Sequence, residues 1–317
     1  MIAIIPIALV AGAASALMFA SMISGALISV LLLYLAPLPL MVAALGWGPL
    51  CAAIGGIIAA TGLGIIFGPS YCTAFAVGIA LPAWWLGYLS LLGRPAAANI
   101  PPAAASAVLE WYPAGRILLW IGLFAVITTT GALLTLGPDA PTITETMRAS
   151  VTTLLQAAGA VPTERGIEAL ITIAPVAAAI VTMMTLTLNL WLAAKITATS
   201  GRLHRPWPDL KNTALPPTTL AALCVAIAFC FSGGLPAILA RIMAAALMVA
   251  YAFTGFAVLH TLTLALKHRI LWLSCAYAVV LMFSWPLLVL TILGLVDAIF
   301  GIRQRYQQGR PPPLPAS

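Results

Sequence analysis

The sequence predicts an all-α integral membrane protein, a polytopic bundle of eight or nine apolar segments. Three observations carry this reading. Of 317 residues, 63% are hydrophobic and 7% are charged, where soluble domains run at about 45–50% and about 25%. Mean hydropathy is +1.12. The first ionisable side chain is Arg94, so residues 1–93 contain no Asp, Glu, Lys, Arg or His. Too little polar surface exists to cover such a chain in water, which excludes a soluble enzyme.

A transmembrane helix needs about 20 mostly apolar residues. Stretches near 2–20, 24–45, 48–67, 71–92, 115–136, 168–195, 216–233, 237–266 and 270–300 meet that requirement, some loosely. The first lacks a basic leader and runs past signal-peptide length, so it reads as an uncleaved span. Pro37 and Pro39 kink the second. Gly46-Trp47-Gly48-Pro49 separates it from the third, Gly68-Pro69-Ser70 ends the third, and Ser232-Gly233-Gly234 turns the seventh. The last runs long and contains Ser284-Trp285-Pro286, a place for it to break. Three connections are long: a Pro/Ala-rich 94–114, a polar 137–167 and a basic 196–215. The tail from 303 to 317 is Pro-rich.

Lys and Arg gather on the cytoplasmic side of membrane proteins. Nine spans threaded from an inside N-terminus place 8 basic residues inside and 6 outside. If one late segment turns back, the tail returns inside and the division becomes 11 to 3. Both termini in the cytoplasm is the favoured topology, and a nine-span chain with an outside tail is the alternative. The loop 137–167 is then external. Thr142 and Glu145 have capping-box spacing, apolar residues recur from Ile143 to Ala158 at helical intervals, and Gly159 is a stop. These predict a short amphipathic helix, either a plain surface lid or a lid over a ligand.

Small residues at four-residue spacing form two stripes. One reads Gly48, Ala52, Gly56, Ala60, Gly64 and Gly68, a helix-packing face; the other reads Ala8, Gly12, Ala16 and Ala20, a packing face or a docking face for another subunit. Polar groups inside apolar spans invite a functional reading. Asn189 is either an interhelical hydrogen bonder or a solute ligand, and His260 either packs or relays protons. Arg241 reaches toward headgroups, and Asp297 with Arg303 makes a local charge pair. Glu164 and Glu168 share one face at the start of the sixth span, either for a cationic solute or as carboxylates at a helix N-terminus. Glu110 and Arg116 either pair across the proline turn or anchor the chain at the headgroups. The five cysteines form no CxxC and no Cys/His cluster, so neither a metal nor another cofactor is expected. No basic stretch is interleaved with aromatics for nucleic acid. No Walker loop, HExxH or GxGxxG stands in usable context, so active transport would borrow its energy from a partner or an ion gradient.

Four Gly/Ala-rich spans before any charge end in Leu81-Pro82-Ala83-Trp84-Trp85-Leu86-Gly87-Tyr88 and Gly93-Arg94. The Glu110–Arg116 segment follows, then Pro175, Asn189-Leu190-Trp191 and Lys195, and finally Gly294–Asp297. In these features the chain resembles the YybS-like bacterial membrane proteins, which in turn resemble the substrate-binding S components of energy-coupling-factor transporters. The resemblance implies a six-helix unit over 1–198, a cytoplasmic basic loop at 199–215, C-terminal membrane helices at 216–302 and a tail at 303–317. It implies a bacterial inner membrane, a solute pocket near Ser21–Ser24, Pro69–Tyr71 and Pro138–Glu168, and docking of a coupling subunit with its ATPases on Ala8, Gly12, Ala16 and Ala20. Tyr71, Glu164, Glu168 and Asn189 are then the candidate solute ligands. The function expected is that of a transporter-like, non-enzymatic component that binds a small solute and works with partner subunits in the lipid bilayer. The alternative is an assembly scaffold with no solute.

Overall fold

The computed structural model of the chain describes residues 4–95, 109–159, 163–209, 211, 213–283 and 285–308. Most of the Pro/Ala-rich connection, Ser284 and the end of the Pro-rich tail lie outside them. Among the described residues the chain is helical apart from one short ribbon, and seven helical segments are long and apolar enough to cross a membrane. They are Ile4–Ser24, Leu27–Trp47, Pro49–Phe67, Pro69–Ser90, Ala114–Leu134, Glu164–Thr199 and Gly234–Leu262. The expected seventh and ninth segments are different. The seventh is a helix of 12 residues, and the ninth is two helices of 14 and 15 residues that part before Pro286. At about 1.5 Å per residue each falls short of a hydrocarbon layer of about 30 Å. Pro286 has no N–H to continue a helix across that break.

The chain divides into two compact units. Met1–Pro113, Leu123–Gly131 and Val181–Trp207 form the first, and Ala114–Gly122, Ala132–Ile180 and Pro208–Ser317 the second.

In the first unit α1 (Ile4–Ala20) packs on α4 (Pro49–Phe67), and α3 (Pro37–Trp47) packs on α6 (Leu81–Ser90). The α1–α4 crossing is set by bare backbone: a Cβ on Gly12 would meet the Gly55 carbonyl, and one on Gly55 the Ala8 carbonyl. Gly56 and Gly64 face Ala80 and Cys72 instead. Gly48 and Gly68, the ends of the expected stripe, are boundary residues with φ of +100° and +98° and open space around them. So α4 presents Gly55 to α1 and the middle of the stripe to the Pro69–Ser90 segment.

That segment is α5 (Pro69–Phe75), a wide π turn at Ala76–Ala80 and α6. Pro82 cannot donate to the Gly78 carbonyl four residues back, and the π turn accommodates the missing bond. Pro37 and Pro39 likewise break the second span into α2 (Leu27–Leu35) and α3. The prolines withhold the N–H groups that the Leu33 and Leu35 carbonyls would take in a helix, and the Ala36 N–H takes the first at 3.1 Å; side chains of other helices bond the neighbouring carbonyls. Ser15 Oγ donates to the Ala36 carbonyl at 2.7 Å, and Asn189 Nδ2 to the Tyr34 carbonyl at 2.7 Å. Outside the apolar helices, β1 (Gly93–Pro95) pairs antiparallel with β2 (Leu109–Trp111), setting Arg94 opposite Glu110. Glu110 therefore pairs with Arg94, at 2.8 Å, and not with Arg116.

The second unit takes residues of α7 (Ala114–Leu134) and α9 (Glu164–Thr199), each of which also contributes to the first. Its other helices are α8 (Ala140–Ala157), α10 (Thr218–Phe229), α11 (Gly234–Leu262), α12 (Arg269–Met282), α13 (Pro286–Phe300) and α14 (Ile302–Gln308). The closest packing is α11 on α13. It repeats the device of the first unit: a Cβ on Gly255 would meet the Leu290 carbonyl, and one on Gly294 the Tyr251 carbonyl. Leu223, Ala226, Ala244 and Tyr251 form a core cluster beside it.

Adding a methyl at these crossings forces the helices apart, and overpacking typically costs about 1–3 kcal/mol. Gly12→Ala and Gly294→Ala should each lower the melting temperature by several degrees. Gly62→Ala, at a helical glycine with open space around its Cβ position, should leave it unchanged or raise it slightly.

Candidate functional site

The amphipathic helix expected in the 137–167 loop forms, but it starts earlier than expected. Asp139, not Thr142, is the N-cap: its Oδ1 accepts the Thr142 N–H at 2.9 Å. Asp at this position bonds the orphan amide and suits the positive helix end. Hydrogen bonding from Thr142 holds the Asp139 carboxyl below the usual aspartate range. The helix ends at Ala157, and Gly159 follows with φ of +72°.

Two contacts fasten α8 over the rest of the second unit. Ile143, fully buried, anchors its apolar face. Arg148 reaches α9, where it pairs with Glu164 at 2.5 Å and lies 3.8 Å from Glu168. The sequence offered these carboxylates either for a cationic solute or as charges at a helix N-terminus; Glu164 opens α9, and their side chains are 80% and 68% exposed and face an arginine of the same chain.

Beneath α8 is a cavity of about 130 Å³. Ile143, Thr144 and Met147 of α8 roof it, Ile171, Thr172, Pro175 and Val176 of α9 form one wall, and Ile238 and Arg241 of α11 another. Arg241 is its one ionisable lining residue, and no carboxylate among the described residues pairs with it. The threonine protons are committed to their own helices, Thr144 to the Ala140 carbonyl at 2.7 Å and Thr172 to the Glu168 carbonyl at 2.9 Å. The wall thus offers one cation and two hydroxyl oxygens with free lone pairs. At about 30 Å³ per water, it has room for about four waters, or a solute of a few heavy atoms. A vitamin-sized pocket would be about 300–1,000 Å³.

The remaining sequence candidates are not gathered here. Asn189 is fully buried in the first unit, where its amide bonds the Tyr34 and Thr185 carbonyls and its Oδ1 receives no donor. Tyr71 packs edge-on to Phe19 with ring centroids 6.3 Å apart, beside Phe67. Ala8 and Gly12 are buried within the chain, while Ala16 and Ala20 are half-buried. His260 Nε2 bonds the Tyr277 hydroxyl at 2.8 Å, and Arg269 stands 3.5 Å from its other ring nitrogen. No group of three or more His, Cys, Asp or Glu able to hold a metal occurs among the described residues.

Two arginines that the sequence left unremarked or half-read organise the loops. Half-buried Arg205 donates to the Ser90 carbonyl at 3.1 Å and the Tyr112 carbonyl at 3.0 Å, and burial lowers its guanidinium pKa. Arg303 pairs with Asp297 at 2.7 Å, as the local spacing suggested, and also donates to the Lys211 and Thr213 carbonyls at 2.6 and 2.8 Å. No signal in the sequence marks these distant carbonyls as partners.

Comparison with protein-family models, with curated proteins and with solved structures returns no match.

Because the folded-state pKa of Asp139 is depressed, its cap holds above the ordinary aspartate range and is lost as pH falls through the lowered value. Hydrogen exchange at the Thr142 amide should therefore be slow at neutral pH and accelerate on strong acidification. Asp139→Asn should keep the protection at neutral pH and abolish the acid dependence; Asp139→Ala should lose protection at every pH.

Proposed function

We propose that this chain is a binding component of a membrane transport system, and that it takes a small anionic solute into the cavity under α8. The observation that supports this best is Arg241: an arginine without a carboxylate partner, seven residues into an apolar helix, beneath an amphipathic helix fastened by an ion pair. Arg241 is exposed and borders the cavity without an ion pair among the described residues, which favours an anion as its partner. The two hydroxyl oxygens suit a donor on the same solute, the pattern of a small hydroxy acid. The scaffold reading draws less support, because Ala8 and Gly12 are spent on α4.

On this reading α8 faces the outside. Arg205 and Arg303 draw their loops together within their respective units, and the tail begins beside residues 211 and 213. This favours the threading that puts 11 basic residues on the cytoplasmic side, with both termini there. The chain has no nucleotide-binding motif of its own, so uphill movement of the solute belongs to a coupling subunit with ATPases or to an ion gradient.

The test uses the full chain in lipid nanodiscs, titrated with formate, acetate, lactate and glycolate at constant ionic strength. At least one should raise the melting temperature saturably through mass action, and Arg241→Gln should weaken that binding tenfold or more. No saturable effect with any of the four, or an equal effect in Arg241→Gln, would remove the site.

A further inference from the structure

The second unit has another, larger cavity, of about 740 Å³, farther along α11 from α8. It lies between the stretch 211–217, the start of α10, the middle of α11 and the turn from α13 into α14. Its wall holds Lys211, Arg303 and Arg305 against one acid, Asp297, so three positive charges face one negative and the balance is +2.

These charges differ in what they already do. The Arg303 guanidinium is consumed: Asp297 takes Nε and Nη2, and the Lys211 and Thr213 carbonyls take Nη1. The same carboxylate accepts the Arg303 main-chain N–H at 2.9 Å, so Asp297 and Arg303 form the frame of the cavity. Lys211 and Arg305 make no ion pair among the described residues. Their charges border the space; Asp297 on the same wall is held by Arg303, and Asp209 Oδ1 accepts the Lys211 main-chain N–H at 3.2 Å. Gln304 and Gln308 add amide donors at the rim.

The opposite wall is apolar. Leu215, Pro216 and Pro217 lead into α10, where Leu220 lines the cavity and Ile227, two turns on along the same helix face, is 45% exposed. A site with, at one end, two cations that make no ion pair among the described residues and an apolar helix face leading away matches an anionic amphiphile. Basic pockets between membrane helices take lipid headgroups in this way. We infer that this cavity holds the headgroup phosphate of an anionic phospholipid, bound by Lys211 and Arg305, with an acyl chain along α10. This does not depend on the cavity under α8, which is lined by other residues.

The experiment measures melting of the full chain in detergent with added phosphatidylglycerol, phosphatidylcholine or inorganic phosphate. Phosphatidylglycerol at about a hundredfold excess over its Kd should raise the melting temperature by about 5 °C or more. Phosphatidylcholine should do much less. Lys211→Gln with Arg305→Gln should remove most of the difference between the two lipids. Arg94→Gln, which deletes an equal kind of charge at an exposed ribbon, should leave that difference intact. Three results would overturn the inference: no preference for the anionic lipid, equal loss in Arg94→Gln, or the full shift from inorganic phosphate alone, which would mark a site for soluble phosphate.

Discussion

Wherever this chain leaves a helix, main-chain carbonyls lose their partners, and in or near lipid little water replaces them. Much of the architecture answers that constraint. Inside the apolar layer, Ser15 and Asn189 donate to carbonyls at the Pro37/Pro39 kink, and a π turn precedes Pro82. Interhelical side-chain bonds of this kind contribute about 0.6–2 kcal/mol each. At the helix ends, Arg205 and Arg303 each donate to two loop carbonyls far along the chain. A guanidinium suits this task because it is always charged and presents several donors in a rigid plane.

The scarcity of charge makes the use of each one legible. Arg94 and Arg148 are paired with carboxylates, and Arg205 and Arg303 hold backbone. Arg202 lies over the Trp47 ring and Lys195 over Trp207, at 4.5 and 5.2 Å, contacts that keep a cation at the headgroup level while its stem stays apolar. Arg241, Lys211 and Arg305 are different: they line cavities and make no ion pair among the described residues. Both functional readings rest on that difference.

The membrane class, the first six apolar stretches and the eighth were readable because a run of about 20 apolar residues matches the thickness of a bilayer and little else. The amphipathic helix of the 137–167 loop was readable from its period and its glycine stop. Its start was misplaced because Asp139 and Thr142 both cap well, and local sequence does not choose between them. The stripe through Gly48–Gly68 was visible as a pattern, yet the residue that α1 touches is Gly55, one position off it. Spacing finds a small-residue face; the rotation of the helix decides which residue meets the neighbour. The Gly255/Gly294 crossing escaped because one glycine on each helix leaves no repeat. The partner of Glu110 and the backbone partners of Arg205 and Arg303 lie 16 to 115 residues away, beyond what spacing can show.

Arg303 ties the turn into α14 to the backbone at 211 and 213, so positions 209 and 308 belong on one side of the membrane and, on the proposed topology, Gln156 on the other. Single cysteines at Asp209, Gln308 and Gln156 in a cysteine-free chain test it directly, with an impermeant maleimide applied to sealed vesicles of each orientation. Asp209→Cys and Gln308→Cys should be labelled from one side and Gln156→Cys from the other. Labelling of positions 209 and 308 from opposite sides would contradict the account.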